Sequence, residues 1–344
     1  MSGPRLGIEI GGTKLQLGIG AGDGTLLDLR RAPIDARRGA GEIRRAIAEL
    51  GGLLVGEYAP ESVGVGFGGP VLNGRTIVSH QVEGWQDFPL QQWLEEQWSL
   101  PVRLANDCDA AALAEATYGA GRDARIVFYV TVGTGVGGGL VINGAPHGEG
   151  RPAVAEIGHL RPGLQARRPE QTVESVASGW GIAAEAAARV RGDLKWPVHQ
   201  LGAKPSREGN EQQRQRELEA SDDLSAEYAA DLLARCDGDL DRLTAVDVAV
   251  AASDGNELAN EALQHAIETL GWAIAQVITL TAAEKVVVGG GVSLLGEARF
   301  FVPLRAACRQ YVFPPLADAY EILPAALGEE VVVHGAIALA NTNR

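Results

Sequence analysis

Two apolar runs, residues 6 to 10 and 14 to 19, are separated only by Gly11-Gly12-Thr13, and this pattern predicts a β-hairpin with a backbone-open turn. The pattern recurs further along. Residues 126 to 132 and 138 to 142 read as a second strand pair around Gly133-Thr-Gly-Val-Gly-Gly138, closed by Asn143-Gly144. Further strands are expected at 62–67, 102–105 and 285–288, the last a fully buried type ending in Gly289-Gly290-Gly291. Helical periodicity is expected over 41–55, 90–98, 110–118, 224–235, 245–252 and 331–340, and is strongest over 257–281. Residues 191–218 are polar, contain Pro197 and Pro205, and hold no sustained period beyond a short helix at 211–218, so they read as a surface excursion.

A chain of 344 residues with 46% hydrophobic content is long enough for two lobes, each with its own core. The net charge of −14 argues against nucleic-acid or anionic-membrane partners and for a small ligand. An anionic ligand stays compatible, because backbone N–H groups and Mg²⁺ hold phosphates without many basic side chains. Cys108, Cys236 and Cys308 are too widely spaced for a disulfide framework or paired metal ligands, which favours a reducing cytoplasm. No apolar run suits a signal peptide or a membrane span.

Gly64 to Gly69 and Gly133 to Gly138 both match G-x-G-x-x-G, yet neither leads into a helix, so a dinucleotide-binding reading fails. A Walker A loop needs Gly-Lys, and the chain has no such pair. Glycines at 11, 12, 133, 135, 137 and 138 let backbone amides approach phosphate oxygens, with Thr13 and Thr134 adding hydroxyl donors. Either loop alone reads equally as an ordinary tight hairpin; the two together with Gly289-Gly290-Gly291 point to nucleotide phosphates.

Glu9-Ile-Gly-Gly-Thr-Lys14, Asn106-Asp107 with Ala110-Ala-Ala112 and Glu115, Gly133-Thr-Gly-Val-Gly-Gly138, Glu156-Ile-Gly-His159 and Val287-Val-Gly-Gly-Gly291 closely resemble the ROK family (repressor, open reading frame, kinase). The resemblance implies an α/β, actin-like and ribonuclease-H-like ATPase fold with ATP and sugar meeting in a cleft between two lobes. The smaller lobe is expected at 1–118 plus 329–344, and the larger at 119–328 with an insertion around 191–243. It implies Asp107 as the base that accepts the proton of the attacking sugar hydroxyl, and Gly69, Asn106, Asp107, Glu156, His159 and Glu174 as the sugar shell. The Gly68-Gly69 turn before Pro70 matches the sugar-side loop. Gly11, Gly12, Thr13, Lys14, Gly133, Thr134, Gly135, Gly289, Gly290 and Gly291 would hold the nucleotide phosphates, and Glu9 would act on Mg²⁺, indirectly if at all. A homodimer or homotetramer is implied as well.

Asp107 has a structural alternative as the cap of the following helix, although Asp109 is placed to serve as that cap instead. The main departure from the family is at zinc. The Cys-x-Cys-Gly-x-x-Gly-Cys segment that follows Gly-His in many members is replaced by residues 160–172, which contain no cysteine, so a Cys₃His site is excluded. This loop is expected to be short and held by packing, stiffened by Pro162 and Pro169, with a hydrogen bond replacing the metal in orienting His159. The paired arginines at 30–31, 37–38 and 44–45 read as a solvated face, and Trp85, Trp93 and Trp98 as core. The expected activity is ATP-dependent phosphorylation of a hexose, glucokinase in type. The alternatives are a kinase using another donor such as polyphosphate, which Asn106-Asp-Cys-Asp and Tyr118-Gly-Ala-Gly121 also resemble, and a sugar-sensing regulator. Family repressors carry a DNA-binding helix-turn-helix ahead of the first hairpin, and this sequence leaves no room for one.

Overall fold

The computed structural model describes residues 3–79, 81–148, 150–151, 153–193 and 224–341. The first sheet begins with the predicted hairpin: β1 (Arg5–Ile10) pairs antiparallel with β2 (Lys14–Gly20), and β3 (Leu26–Pro33) extends it on the outer edge. After α1 (Ala40–Tyr58), β4 (Val63–Phe67) lies parallel to β1. A small hairpin follows, β5 (Val71–Leu72) and β6 (Arg75–Thr76), then α2 (Leu90–Trp98) and β7 (Val102–Asn106), which is parallel to β4. The strand order is β3-β2-β1-β4-β7.

After α3 (Asp107–Thr117) the same plan is built again. β8 (Ile126–Val132) and β9 (Val136–Ile142) form the second antiparallel pair, and β10 (Ala145–Pro146) pairs on the edge of β9. Helices α4 (Val173–Ala177), α5 (Gly179–Val190), α6 (described over 224–235), α7 (Ala245–Ser253) and α8 (Glu257–Thr281) follow. β11 (Lys285–Gly289) then joins β8 in parallel; α9 (Val302–Tyr311) leads to β12 (Glu321–Pro324), parallel to β11, and α10 (Val331–Asn341) closes the chain. The second order, β10-β9-β8-β11-β12, repeats the first. The two hairpins that the sequence pattern matched to one another therefore hold equivalent places in two sheets.

Helices α10 and α3 form the layer between the sheets. α10 packs on β1 and β4, α3 packs on β8 and β9, and the two helices pack on each other. Glycine makes the approach feasible: a Cβ on Gly335 would lie 1.8 Å from the Ala110 carbonyl oxygen, and one on Gly64 would lie 1.8 Å from that of Ala336. A small buried cluster that includes Ala111, Leu113, Tyr129, Val141, Val287, Val331 and Ala338 seals this layer. Each sheet has its own larger core. Trp85 belongs to that of the first lobe, edge-on to Phe67 and Phe88, while Trp93 and Trp98 pack partly buried against it.

The arginine pairs lie on a largely solvated face, as expected, and make surface contacts there. Arg30 meets Asp28, Arg37 meets Asp35, Arg38 meets Glu42, Arg31 bonds Glu330 and Gln16, and Arg44 lies 4.4 Å above the Phe88 ring. The expected excursion at 191–218, with its helix at 211–218, falls mainly on 194–223, outside the described residues. Among the described residues no helix is long and apolar enough to cross a membrane.

Candidate active site between the two lobes

β7 runs straight into α3, and this junction carries the chemistry. The helix begins at Asp107, three residues earlier than the periodicity predicts, because Asn106 is its cap: Asn106 Oδ1 accepts from the Cys108 N–H at 2.8 Å. Neither Asp107 nor Asp109 is therefore needed as the cap. Asp107 Oδ1 does share the Cys108 amide at 2.9 Å, and its position in the first turn places the carboxylate in the positive field of the helix N-terminus. The other end of the Asn106 amide donates to the Gly69 carbonyl at 3.0 Å, tying the Gly68-Gly69 turn to α3. One donor hydrogen and one acceptor lone pair of Asn106 remain for a ligand.

The first hairpin meets this junction through Gly68, whose amide donates to the Ile10 carbonyl at 2.8 Å. A Cβ on Gly68 would lie 3.6 Å from Asp107 Oδ2 and from Gly11 Cα, so the turn, the hairpin and the carboxylate converge. The second hairpin meets it from the other side. A Cβ on Gly137 would strike Cys108 Sγ at 2.6 Å, and one on Gly139 would approach the Cys108 carbonyl oxygen at 2.4 Å. The third glycine turn abuts the end of β8: Gly290 adopts φ 88° and a Cβ there would lie 2.5 Å from the Val132 carbonyl oxygen.

Glu156 and Glu174 reach the same cleft. Gly158 docks the first of them, since a Cβ at Gly158 would lie 2.0 Å from the Val136 carbonyl oxygen on β9. Glu156 caps no helix amide with its side chain, and Ala155 before it holds a left-handed backbone at φ 61°. Glu174, in the first turn of α4, accepts from the Val136 N–H at 2.8 Å, and a Cβ on Gly135 would lie 2.6 Å from the same oxygen. Gly179 donates to the Gly133 carbonyl at 2.7 Å, completing the brace behind the second turn. Glu174 was expected only at the sugar; the structure shows it also fastening a phosphate-type loop.

The electrostatics follow from this geometry. Burial raises the Asp107 carboxyl above its ordinary value despite the Cys108 hydrogen bonds, and Glu156 adds to the rise. Desolvation raises Glu156 as well, with His159 opposing and Glu174 adding. Asp109 is pushed up to about 7 by burial, then by Glu156 and Asp107. One of its oxygens is buried without a hydrogen-bond partner. It borders a cavity of about 830 Å³ between the two lobes that Asn106, Gln91 and His147 also line. The sequence offers Asp109 as a cap and within the Asn106-Asp-Cys-Asp run, and its i+2 spacing from Asp107 at a helix start already places a second acid beside the first.

Other expected residues sit differently from their assigned tasks. His159 is exposed, and among the described residues no hydrogen bond to its ring replaces the missing metal. The loop at 160–172 is not held by packing: most of it is exposed, Leu164 at 93%, and it is closed by backbone turns, with the Val173 amide donating to the Leu160 carbonyl at 2.8 Å. Lys14 Nζ lies 3.5 Å from Glu9 and donates to the Glu329 carbonyl, so its charge is partly engaged within the first lobe.

Glu9 is buried and accepts from Gln16 Nε2 at 2.6 Å, with burial raising its carboxyl against the pull of Lys14 and Gln16. Among the described residues no group of three His, Cys, Asp or Glu side chains is placed to hold a metal. This donor set does not form a protein cage, but it fits an Mg²⁺ ion carried mainly by nucleotide phosphates and water, with Glu9 beside the first hairpin as the nearby acid.

Two repeated sheets bridged by crossing helices, with three glycine turns and a carboxylate-rich cleft between them, define an actin-like, ribonuclease-H-like ATPase fold. Residues 5–343 match the ROK family, and the chain belongs to it. It is 32% identical to a glucokinase of Halalkalibacterium halodurans over 342 residues, covering 96% of this chain and 92% of that one. A Thermotoga maritima glucokinase is 28% identical over 344 residues, covering 97% and 96%. Among solved structures, a ROK family glucokinase from Streptomyces griseus in complex with glucose and AMPPNP superimposes with a TM-score of 0.72 at 26% identity, covering 99% of this chain and all of that one. A ROK hexokinase from Thermus thermophilus gives 0.74 at 26% identity, covering 98% and 97%.

Proposed function

We propose that this protein is an ATP-dependent hexose kinase of the glucokinase type. The observation that carries the reading is the placement of Asp107, at the N-terminus of α3 and between two glycine hairpins of equivalent position, with Glu156 close enough to act on its ionisation. Phosphoryl transfer needs a hydroxyl aligned with the γ-phosphate and little covalent participation by the protein. Asp107 accepts the hydroxyl proton, and the backbone amides of the glycine turns receive the phosphates. Asn106, Glu156, His159, Glu174 and the Gly69 turn fix the orientation of the sugar. When bound with the nucleotide, Mg²⁺ would supply neutralisation of phosphate charge, and Glu9 would be the acid beside the first hairpin that attracts it.

Glucose as substrate follows from the full-length likeness to the bacterial glucokinases. A dimeric or tetrameric assembly, a cytoplasmic location and a lobe boundary near 118 and 328 belong to the same reading. The test is sugar-phosphate formation with a panel of hexoses, with ATP and polyphosphate compared as donors. Glucose with ATP is expected to give the highest kcat/KM. A preference for polyphosphate, or sugar binding without turnover on any hexose, would replace the reading.

A further inference from the structure

Among the described residues, two segments connect the lobes at this layer: residues 118–125, between α3 and β8, and residues 325–330, between β12 and α10. A single carboxylate bonds both. Glu115, on α3, is fully buried, and no arginine, lysine or histidine pairs with it among the described residues. Its Oε2 accepts from the Ala120 N–H at 2.8 Å, while Oε1 accepts from the Ala326 and Leu327 N–H groups at 2.9 and 3.0 Å. Its own carbonyl accepts from the Gly119 and Gly121 amides, at 3.1 and 2.9 Å. The first connection is wrapped so closely that a Cβ on Gly119 would lie 2.0 Å from Oε2.

Resting on the kinase reading above, we infer that Glu115 is a positioning residue for phosphoryl transfer: it locks the two interlobe connections together, and so sets the approach of the second-lobe phosphate turn to Asp107. The physical grounds are three. A buried charge held by backbone N–H groups alone is costly unless all its donors stay in place, which makes the arrangement all-or-none. The donors belong to segments 206 residues apart in sequence, Ala120 and Ala326, and therefore to two independent crossings. Between them α3 carries Asp107 at its opposite end, so any slack at Glu115 is passed along a rigid helix to the reacting groups. A carboxylate is required rather than an amide. Gln offers one acceptor oxygen, and in either orientation its NH₂ faces at least one backbone N–H.

The test uses the full chain, with Glu115→Gln and Glu115→Ala compared with wild type well below their melting temperatures. The expected result is a kcat lowered roughly 10- to 100-fold while the sugar Kd, measured by equilibrium titration, changes little. Hydrogen exchange should accelerate in peptides covering both 119–121 and 325–328. Gly119→Ala, which keeps the carboxylate and crowds it, should give a milder version of the same split, and it serves if the Glu115 variants do not fold. Wild-type kcat in Glu115→Gln, or in Gly119→Ala where the Glu115 variants fail to fold, would overturn the inference. So would a loss of kcat without faster exchange in both connections, or with exchange accelerated evenly across both lobes, the latter pattern being general destabilisation. Wild-type turnover on hexoses checks the kinase reading separately.

Discussion

The Glu174 carboxylate accepts a hydrogen bond from the Val136 amide at 2.8 Å, so a residue expected at the sugar also holds the glycine turn of the second hairpin. On the proposed reading, this one contact would couple the sugar side of the cleft to the phosphate side. Loss of the side chain leaves a partly buried N–H unpaired, at a cost of about 1–3 kcal/mol, in the loop that must present its amides to phosphate. Glu174→Ala is expected to raise KM for both sugar and ATP, the latter by roughly tenfold, while Glu174→Gln, which keeps an acceptor oxygen, should leave the ATP KM near wild type and raise the sugar KM. Steady-state kinetics with each substrate varied in turn checks this. Equal ATP KM values in wild type and Glu174→Ala would remove the coupling.

Asp107→Asn separates chemistry from binding. The side chain is nearly isosteric, its carbonyl oxygen still accepts from Cys108, and Asn106 still caps α3, so the fold should persist. What is lost is the base. The expected kcat falls by about 10²- to 10⁴-fold with sugar affinity retained within a few fold. Calorimetric titration of the sugar alongside ADP release distinguishes this from a binding defect, and unchanged turnover would remove Asp107 from the role.

The order and type of the main elements are legible because both hairpins are apolar runs joined at glycine-rich turns, and because 257–281 repeats apolar residues at helical spacing; α8 spans the residues predicted. The start of α3 is not, since its first turn, Asp107-Cys-Asp, carries no helical periodicity and only the Asn106 cap fixes it. The glycines at 68, 137, 139 and 158 were visible as letters, but which backbone each one meets depends on pairings across the chain. The bond that Glu174 accepts from the second hairpin is hidden for the same reason: its partner Val136 lies 38 residues earlier. The exposure of the loop at 160–172 is not legible in its sequence, because prolines stiffen a segment without telling whether anything packs on it.

Asp109 makes the cleft sensitive to pH. Burial first, then the Glu156 and Asp107 carboxylates, push it from an ordinary value of 3.8 up to about 7. With the folded value above the unfolded one, the native state binds the proton more tightly. Stability from this group is therefore present below about pH 4 and is lost as pH rises through 7. The full effect is on the order of a few kcal/mol. Asp107 and Glu156 are raised too and contribute a slope of the same sign, so removing Asp109 should flatten the dependence without abolishing it. Asp109→Asn is expected to raise the melting temperature more at pH 8 than at pH 5, because only at the higher pH does it remove a charge that wild type holds at a cost. Thermal unfolding of both proteins across this range provides the check. Parallel curves would mean that Asp109 is ionised in the native state throughout, with water satisfying the oxygen that has no protein partner.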